Sequence, residues 1–310
     1  MGQPPGCLCV PLGRFKDSES QDLTDYPLID ISDYLSLMPH NKKSRKTPHL
    51  CEWMAKCIYN KTGLKLTPSR DDVKIMLDRD EIDEGIDIVR EYSGNHGNKP
   101  VLMIAPSSTT KNRSLPLETV RRIRDGVEDL CAPALLYPGS DERYLKVLEP
   151  LGSKNLRKAS AVLYACDAVV AMDSAPLHLV NGAIQGAENG NEYIQTSRRK
   201  IIAVCGSSNP DAVTYRQNMI IIPKNKCEVW PCGVHGYASL EEHERLHRRK
   251  FYDSGVEGDG AGCICENYPD METAPCMKSV SSESIIKSIR KVLITPYASS
   301  LSSSGHPCRV

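Results

Sequence analysis

A chain of 310 residues with 39 basic and 39 acidic side chains carries no net charge, so it lacks the chain-wide positive field that non-specific nucleic-acid binding draws on. Hydrophobic residues make up 40% and charged residues 25%, the balance of a globular protein. No apolar run approaches the roughly 20 residues that span a bilayer, and the N-terminus lacks the apolar stretch of a signal peptide, so the cytoplasm is the expected compartment.

In that reducing setting the 13 cysteines are expected as thiols or metal ligands, and their odd number excludes complete pairing within one chain. Residues 1–25, rich in Gly, Pro, Ser and Asp, read as a disordered leader. Gly2, Cys7 and Cys9 mimic a lipidation signal, but Gly6 stands where the myristoylation pattern takes Ser or Thr. Residues 26–95 read as a short, largely helical N-terminal extension. Within it, Leu50 to Tyr59 has helical spacing, Val73 to Leu77 is a strand candidate, and Asp80 to Tyr92 is an acidic amphipathic helix. Basic residues 42–46 read as a solvated loop.

Over 96–295 the pattern becomes regular. Apolar strands are expected at Val101–Ile104, Ala134–Tyr137, Ala168–Met172, Lys200–Cys205 and Met219–Ile222. Helices are expected at Leu117–Leu130, Asp141–Leu148, Ser160–Cys166, Ala175–Ile184 and Ser282–Leu293. Short unbroken apolar strands alternating with helices predict a doubly wound, mostly parallel α/β sheet of the Rossmann-like class. Residues 296–310 read as a disordered tail.

Ligands of such sheets bind beyond the carboxyl ends of the strands, which directs attention to four loops. After the first strand, Ser107, Ser108 and Thr109 bring hydroxyls, and Lys111 and Arg113 bring charge, just before a helix; a guanidinium grips phosphate in bidentate fashion. After the second, Gly139 permits close backbone approach, Asp141 suits a helix cap, and Glu142 suits a sugar or ribose hydroxyl. After the third come Asp173, Ser174, Ala175, Pro176, Leu177 and His178. Pro176 fits a first helical turn, whose free amides and positive dipole end favour a diphosphate. After the fourth, Gly206, Ser207 and Ser208 form a small turn that either lines a nucleotide pocket or merely connects.

In this order the four loops resemble the C-terminal domain of family 9 glycosyltransferases, the group that includes the heptosyltransferases. The family's Lys-x-Trp-Pro is met by Arg113-Ser114-Leu115-Pro116, with Arg for Lys. Its Gly-Gly-x-x-Glu-type turn is met by Gly139 to Glu142. Its Asp-Ser/Thr-Gly-Pro-x-His signature is met by Asp173 to His178, with Ala175 for Gly. Its Gly-Pro-Thr-x-Pro is met by Gly206 to Pro210.

The resemblance covers roughly residues 95–295. It implies the C-terminal half of a GT-B fold, a nucleoside-diphosphate sugar as ligand, and no metal or other cofactor required for transfer. Arg113 would hold donor phosphate or sugar, Glu142 ribose or sugar hydroxyls, and Asp173, Ser174 and His178 would position the donor. About 75 residues lie between the leader and the first regular strand, too few for the family's acceptor lobe of about 150 residues or more, so 26–95 reads as a truncated acceptor lobe. No catalytic base is assigned, and transfer then needs an acceptor-binding partner chain or a minimal substitute lobe, or is absent. The alternative is a sugar-nucleotide-binding or scaffold subunit without catalysis. Gln185 to Arg199 reads as an insertion relative to the family.

Two further patterns stand apart. Cys227, Cys232, Cys263, Cys265 and Cys276 fall in a Cys-rich insertion, 227–276, suited to a structural zinc or else to thiols or a disulfide. His243-Glu244-Arg245-Leu246-His247 matches His-Glu-x-x-His, the zinc-hydrolase pattern, but its flanking charges describe a solvated helix.

Overall fold

The computed structural model describes residues 49–70, 73–108, 113–137, 142–187, 200–225, 230 and 274–294. The leader, the 42–46 loop, the 296–310 tail, Thr109, Lys111, Gly139, Asp141, His243, His247 and all the candidate metal cysteines except Cys276 lie outside those residues.

Six strands form one wholly parallel sheet: β1 (Val101–Ala105), β2 (Ala132–Tyr137), β3 (Glu149–Gly152), β4 (Ala168–Met172), β5 (Ile201–Val204) and β6 (Met219–Ile221), in spatial order β3-β2-β1-β4-β5-β6. The doubly wound, Rossmann-like expectation is met. The period of two along each strand divides the core. Val101, Met103, Val169, Ala171, Ile201 and Ala203 face one side, where α2 (Arg79–Asn95), α4 (Leu156–Ala165) and α5 (Ala175–Ala187) pack. Leu102, Ile104, Val170, Met172, Ile202 and Val204 face the other, against α3 (Leu117–Asp125), a short α7 (Pro275–Lys278) and α8 (Ser282–Ile294). Strands buried on both faces have no polar face to show, which is why they read as unbroken apolar runs.

Local chemistry fixes the helices. Asp78 and Glu81 form a reciprocal capping box at the start of α2. The side chain of Asn155 accepts from the Arg157 and Lys158 amides at the start of α4. Gly85 of α2 sits so close to Ala161 of α4 that an added Cβ would lie 2.6 Å from that residue's backbone. With Ile82, Val89 and Tyr92 buried in the same core as the sheet, α2 is a structural layer of the α/β unit, although the sequence reading set it in the N-terminal extension.

Three elements differ from expectation. Val73–Leu77 is not a strand. The Ile75 amide donates to the Gly182 carbonyl at 2.8 Å, and the segment lies across α5 where Gly182 and Gly186 leave room for it. Its alternating exposure mimics a strand, but its partner is a helix. The expected helix Asp141–Leu148 is a 3-10 turn over Glu142–Lys146. It is followed by β3, whose Glu-Pro-Leu-Gly lacks an apolar run because it lies at the sheet edge, where Pro is tolerated.

Helix α1 (Leu50–Thr62) sits at the carboxyl end of the sheet. Its Trp53, with Leu50 beside it, packs on Cys205, which follows β5, and on Ala212 and Val213 of the short α6 (Pro210–Val213). The apolar side is therefore centred on Trp53, Cys57 and Ile58, with Leu50 and Met54 half-buried. This segment of the N-terminal extension thus stands next to the loops of the switch point.

Candidate functional site

The sheet order reverses direction between β1 and β4, the place at which open sheets of this kind form a crevice beyond their carboxyl ends. Arg113 enters from the β1 side and Asp173 from the end of β4. The Arg113 Nη1 donates to the Asp173 carbonyl at 3.3 Å and lies 3.8 Å from Asp173 Oδ2. The same carboxylate accepts a short hydrogen bond from Ser208 Oγ, in the loop after β5. His178 Nε2 lies 4.0 Å from Oδ1, at charge–charge rather than hydrogen-bond range. Asp173 is 2% exposed, so its charge is directed at Arg113 and Ser208 rather than into the crevice. That arrangement ties the loops after β1, β4 and β5 together.

The β1 loop is pinched at its base. Leu115 N–H donates to Pro106 C=O at 2.8 Å, and Ser114 Oγ both accepts from the Ser108 amide at 3.0 Å and donates to the Ser108 carbonyl. Ser107 and Ser108 are half-buried beside it. At the mouth of α5, Ala175 is exposed and Ser174 half-buried; the short Ala175 side chain leaves this helix start, with its positive dipole end, facing the crevice. Leu177 N–H bonds to the Ser174 carbonyl at 3.0 Å, a tight first turn.

His178 is held from behind. Its Nδ1 is 2.8 Å from the Tyr215 hydroxyl, and burial keeps that phenol's pKa well above its usual value, so the phenol retains its proton. A Tyr215 hydroxyl that donates to Nδ1 would leave the His178 proton on Nε2, on the Asp173 side. Packing around the ring lowers the His178 pKa, Asp173 opposes that shift, and Arg113 adds to it. The site therefore presents neutral imidazole at neutral pH.

Not every expected residue joins this cluster. Glu142 is exposed in its 3-10 turn and takes no part in the Asp173 contacts. Gly206 and Ser207 are buried; the Gly206 carbonyl accepts from Trp230 Nε1 at 2.7 Å, so this turn packs inside the protein as a connector and its neighbour Ser208 carries the polar contact. Cys276 is buried in the apolar cluster with Met277 and Ile285, and among the described residues no group of three or more His, Cys, Asp or Glu is placed to hold a metal.

Sequence reasoning missed Tyr215, the Ser208–Asp173 bond and His49. The ring of His49 stands 5.3 Å from that of Tyr215. Burial, then Arg70, then His178, lower the His49 pKa to about 4, with Asp173 opposing. The sole sequence signal for His49 was its place one residue before an amphipathic helix.

No protein-family pattern matches the chain, and no curated protein matches its sequence. Among solved structures it is similar to the glycosyl transferase family 9 protein from Veillonella parvula, at 17% identity and a TM-score of 0.48 over 82% of this chain and 62% of that one. It is similar to E. coli heptosyltransferase WaaC with ADP at 15% identity and 0.37, over 57% of this chain and 51% of that one. E. coli ADP-heptose lps heptosyltransferase II matches at 15% and 0.37, over 66% of this chain and 63% of that one. The chain thus spans between half and two thirds of the length of these proteins. No helix among the described residues is long and apolar enough to cross a membrane.

Proposed function

We propose that this chain is glycosyltransferase-like and binds a nucleoside-diphosphate sugar across the crevice between β1 and β4. The observation that carries the reading is Arg113 held by Asp173 beside the start of α5. A fixed guanidinium next to a helix N-terminus is a site for a diphosphate. Asp173 would otherwise repel that anion; its engagement by Ser208 and Arg113 supports the reading. Ser107, Ser108 and Ser174 supply hydroxyls at the rim, with Thr109, Gly139 and Glu142 as further contacts from the β1 and β2 loops. His178, as a neutral imidazole, offers a hydrogen-bonding ring nitrogen without adding charge.

The ligand's sugar goes to an acceptor held by a separate chain or by the extension. A second reading, binding without transfer, is favoured by one observation. The single carboxylate of the cluster, Asp173, is already engaged, so it is poorly placed to take a proton from an acceptor. A structural zinc on Cys227, Cys232, Cys263 and Cys265 remains part of the proposal, with no role in transfer, and the cytoplasm is the proposed compartment.

Calorimetric titration with ADP, UDP and their sugars tests the reading. Binding is expected in the wild type and at least tenfold weaker in Arg113→Ala, as for loss of a charge-assisted contact of about 1.5–3 kcal/mol. Equal binding by both proteins would remove the diphosphate from this place. Release of free nucleotide from a donor by the wild type separates transfer or hydrolysis from binding alone.

A further inference from the structure

The start of helix α1 carries two buried donors that nothing among the described residues accepts. The His49 Nδ1 accepts from the Cys51 amide at 3.4 Å, as helix N-cap, and lies 3.1 Å from Cys51 Sγ. A nitrogen that accepts an amide proton holds a lone pair, so the proton of the neutral ring sits on Nε2. Among the described residues that Nε2–H has no partner, and neither does Trp53 Nε1–H. His49 is 2% and Trp53 6% exposed. His49 caps α1 from an extended backbone, and Trp53 lies in the first turn that it caps. This helix start meets Tyr215 through His49 and α6 through Trp53.

Buried donors without acceptors are rare, and each costs free energy that a native fold rarely tolerates without function. Here two occur at the start of one helix, and His49 stands against the Tyr215, His178 and Asp173 chain. The nearby charge indicates what is missing. Arg70 bears on His49 electrostatically, and among the described residues no carboxylate pairs with it. Arg113 already offsets Asp173, and Arg70 brings positive charge to bear on His49 beside the two donors.

We infer that His49 and Trp53, with Arg70 behind them, form a subsite for a phosphate oxygen of the ligand, contributed by the segment before the α/β unit. This rests on the proposed nucleotide-sugar reading and adds to it a second wall. The β1 and β4 loops grip one part of the phosphate chain, and α1 grips the oxygen that reaches beneath it. The N-terminal extension is then a part of the binding site in its own right.

The test uses the full chain and pyrophosphate as probe. His49→Asn keeps an N-cap acceptor and removes the inner donor, whereas His49→Gln keeps a terminal amide nitrogen near the place of Nε2. His49→Asn is expected to weaken pyrophosphate binding about tenfold with an unchanged or raised melting temperature, and His49→Gln to retain most of the affinity. Trp53 and Trp230 are the only tryptophans, so the indole N–H resonance that disappears in Trp53→Phe is identified directly. It is expected to shift on addition of pyrophosphate.

If His49→Asn and Trp53→Phe bind pyrophosphate as the wild type does while Arg113→Ala does not, the α1 subsite is overturned and the crevice reading stands. If the His49 variant loses binding and Arg113→Ala keeps it, the crevice reading fails and the subsite survives. A wild type that binds no pyrophosphate overturns both.

Discussion

Ser208, in the loop after β5, donates its hydroxyl proton to the carboxylate of Asp173, at the end of β4. Arg113 approaches the same carboxylate from the β1 loop. One buried acid thus fixes three loops that arise from different strands, and it does so by having its charge consumed inside the protein. Asp173→Ala would leave Ser208 and Arg113 without their acceptor, and is expected to cost about 3 kcal/mol in urea unfolding, the range for removing one partner of a buried pair. A loss below about 1 kcal/mol would mean that the loops are held by packing instead.

Gly186 is where the 73–77 segment comes closest to α5. A Cβ there would sit 2.1 Å from the Ile75 carbonyl oxygen, and backbone cannot yield as a flexible side chain does. Gly186→Ala is expected to destabilise by about 1–3 kcal/mol through overpacking. Gly94, in the last turn of α2, has nothing within 4 Å of its Cβ position. Gly94→Ala is expected to stabilise by about 0.5–1 kcal/mol. Thermal melts of the pair check the sign difference, and two changes of the same sign would contradict this account of the strap.

Acid should loosen the fold before carboxylates titrate. His49 takes its proton at about 4 in the folded chain against 6.5 unfolded. Between these values the unfolded state binds more protons, so stability is full above pH about 6.5 and falls as pH drops towards 4. The loss from this residue is about 3 kcal/mol. His178 shifts in the same direction and adds to it. His49→Asn is expected to flatten the stability–pH curve between pH 4 and 6.5, and a curve of unchanged slope would refute the assignment.

At the opposite end of the sheet, Lys200 Nζ donates to the Tyr164 and Cys166 carbonyls at 2.8 and 2.6 Å, closing the end of α4. Burial lowers its pKa, with Cys166 and Asp167 opposing. Lys200→Met removes both donors and is expected to destabilise by about 1–3 kcal/mol while leaving nucleotide affinity intact. Loss of affinity in proportion to stability would mean that the two ends of the sheet are coupled.

The amino-acid pattern alone settled five of six strands, because a strand covered on both faces must be apolar throughout. It also settled the helix start at Ala175, the placing of Asp173 at a strand end and that of Arg113 in the loop between a strand and a helix, since Pro176 and the abrupt change from apolar to polar mark those boundaries. β3 escaped because an edge strand needs no apolar run. Val73–Leu77 misled because alternating burial also arises when an extended chain lies on a helix.

Only the tertiary structure decided that Asp173 faces inward to Ser208, that Tyr215 stands behind His178, and that His49 joins them. Those contacts link residues from 35 to more than 120 positions apart in the chain, and periodicity reports only what lies within a turn or two. Which polar groups meet is set by how α1, α6 and the switch-point loops pack on the finished sheet, and that information is absent from any single stretch of sequence.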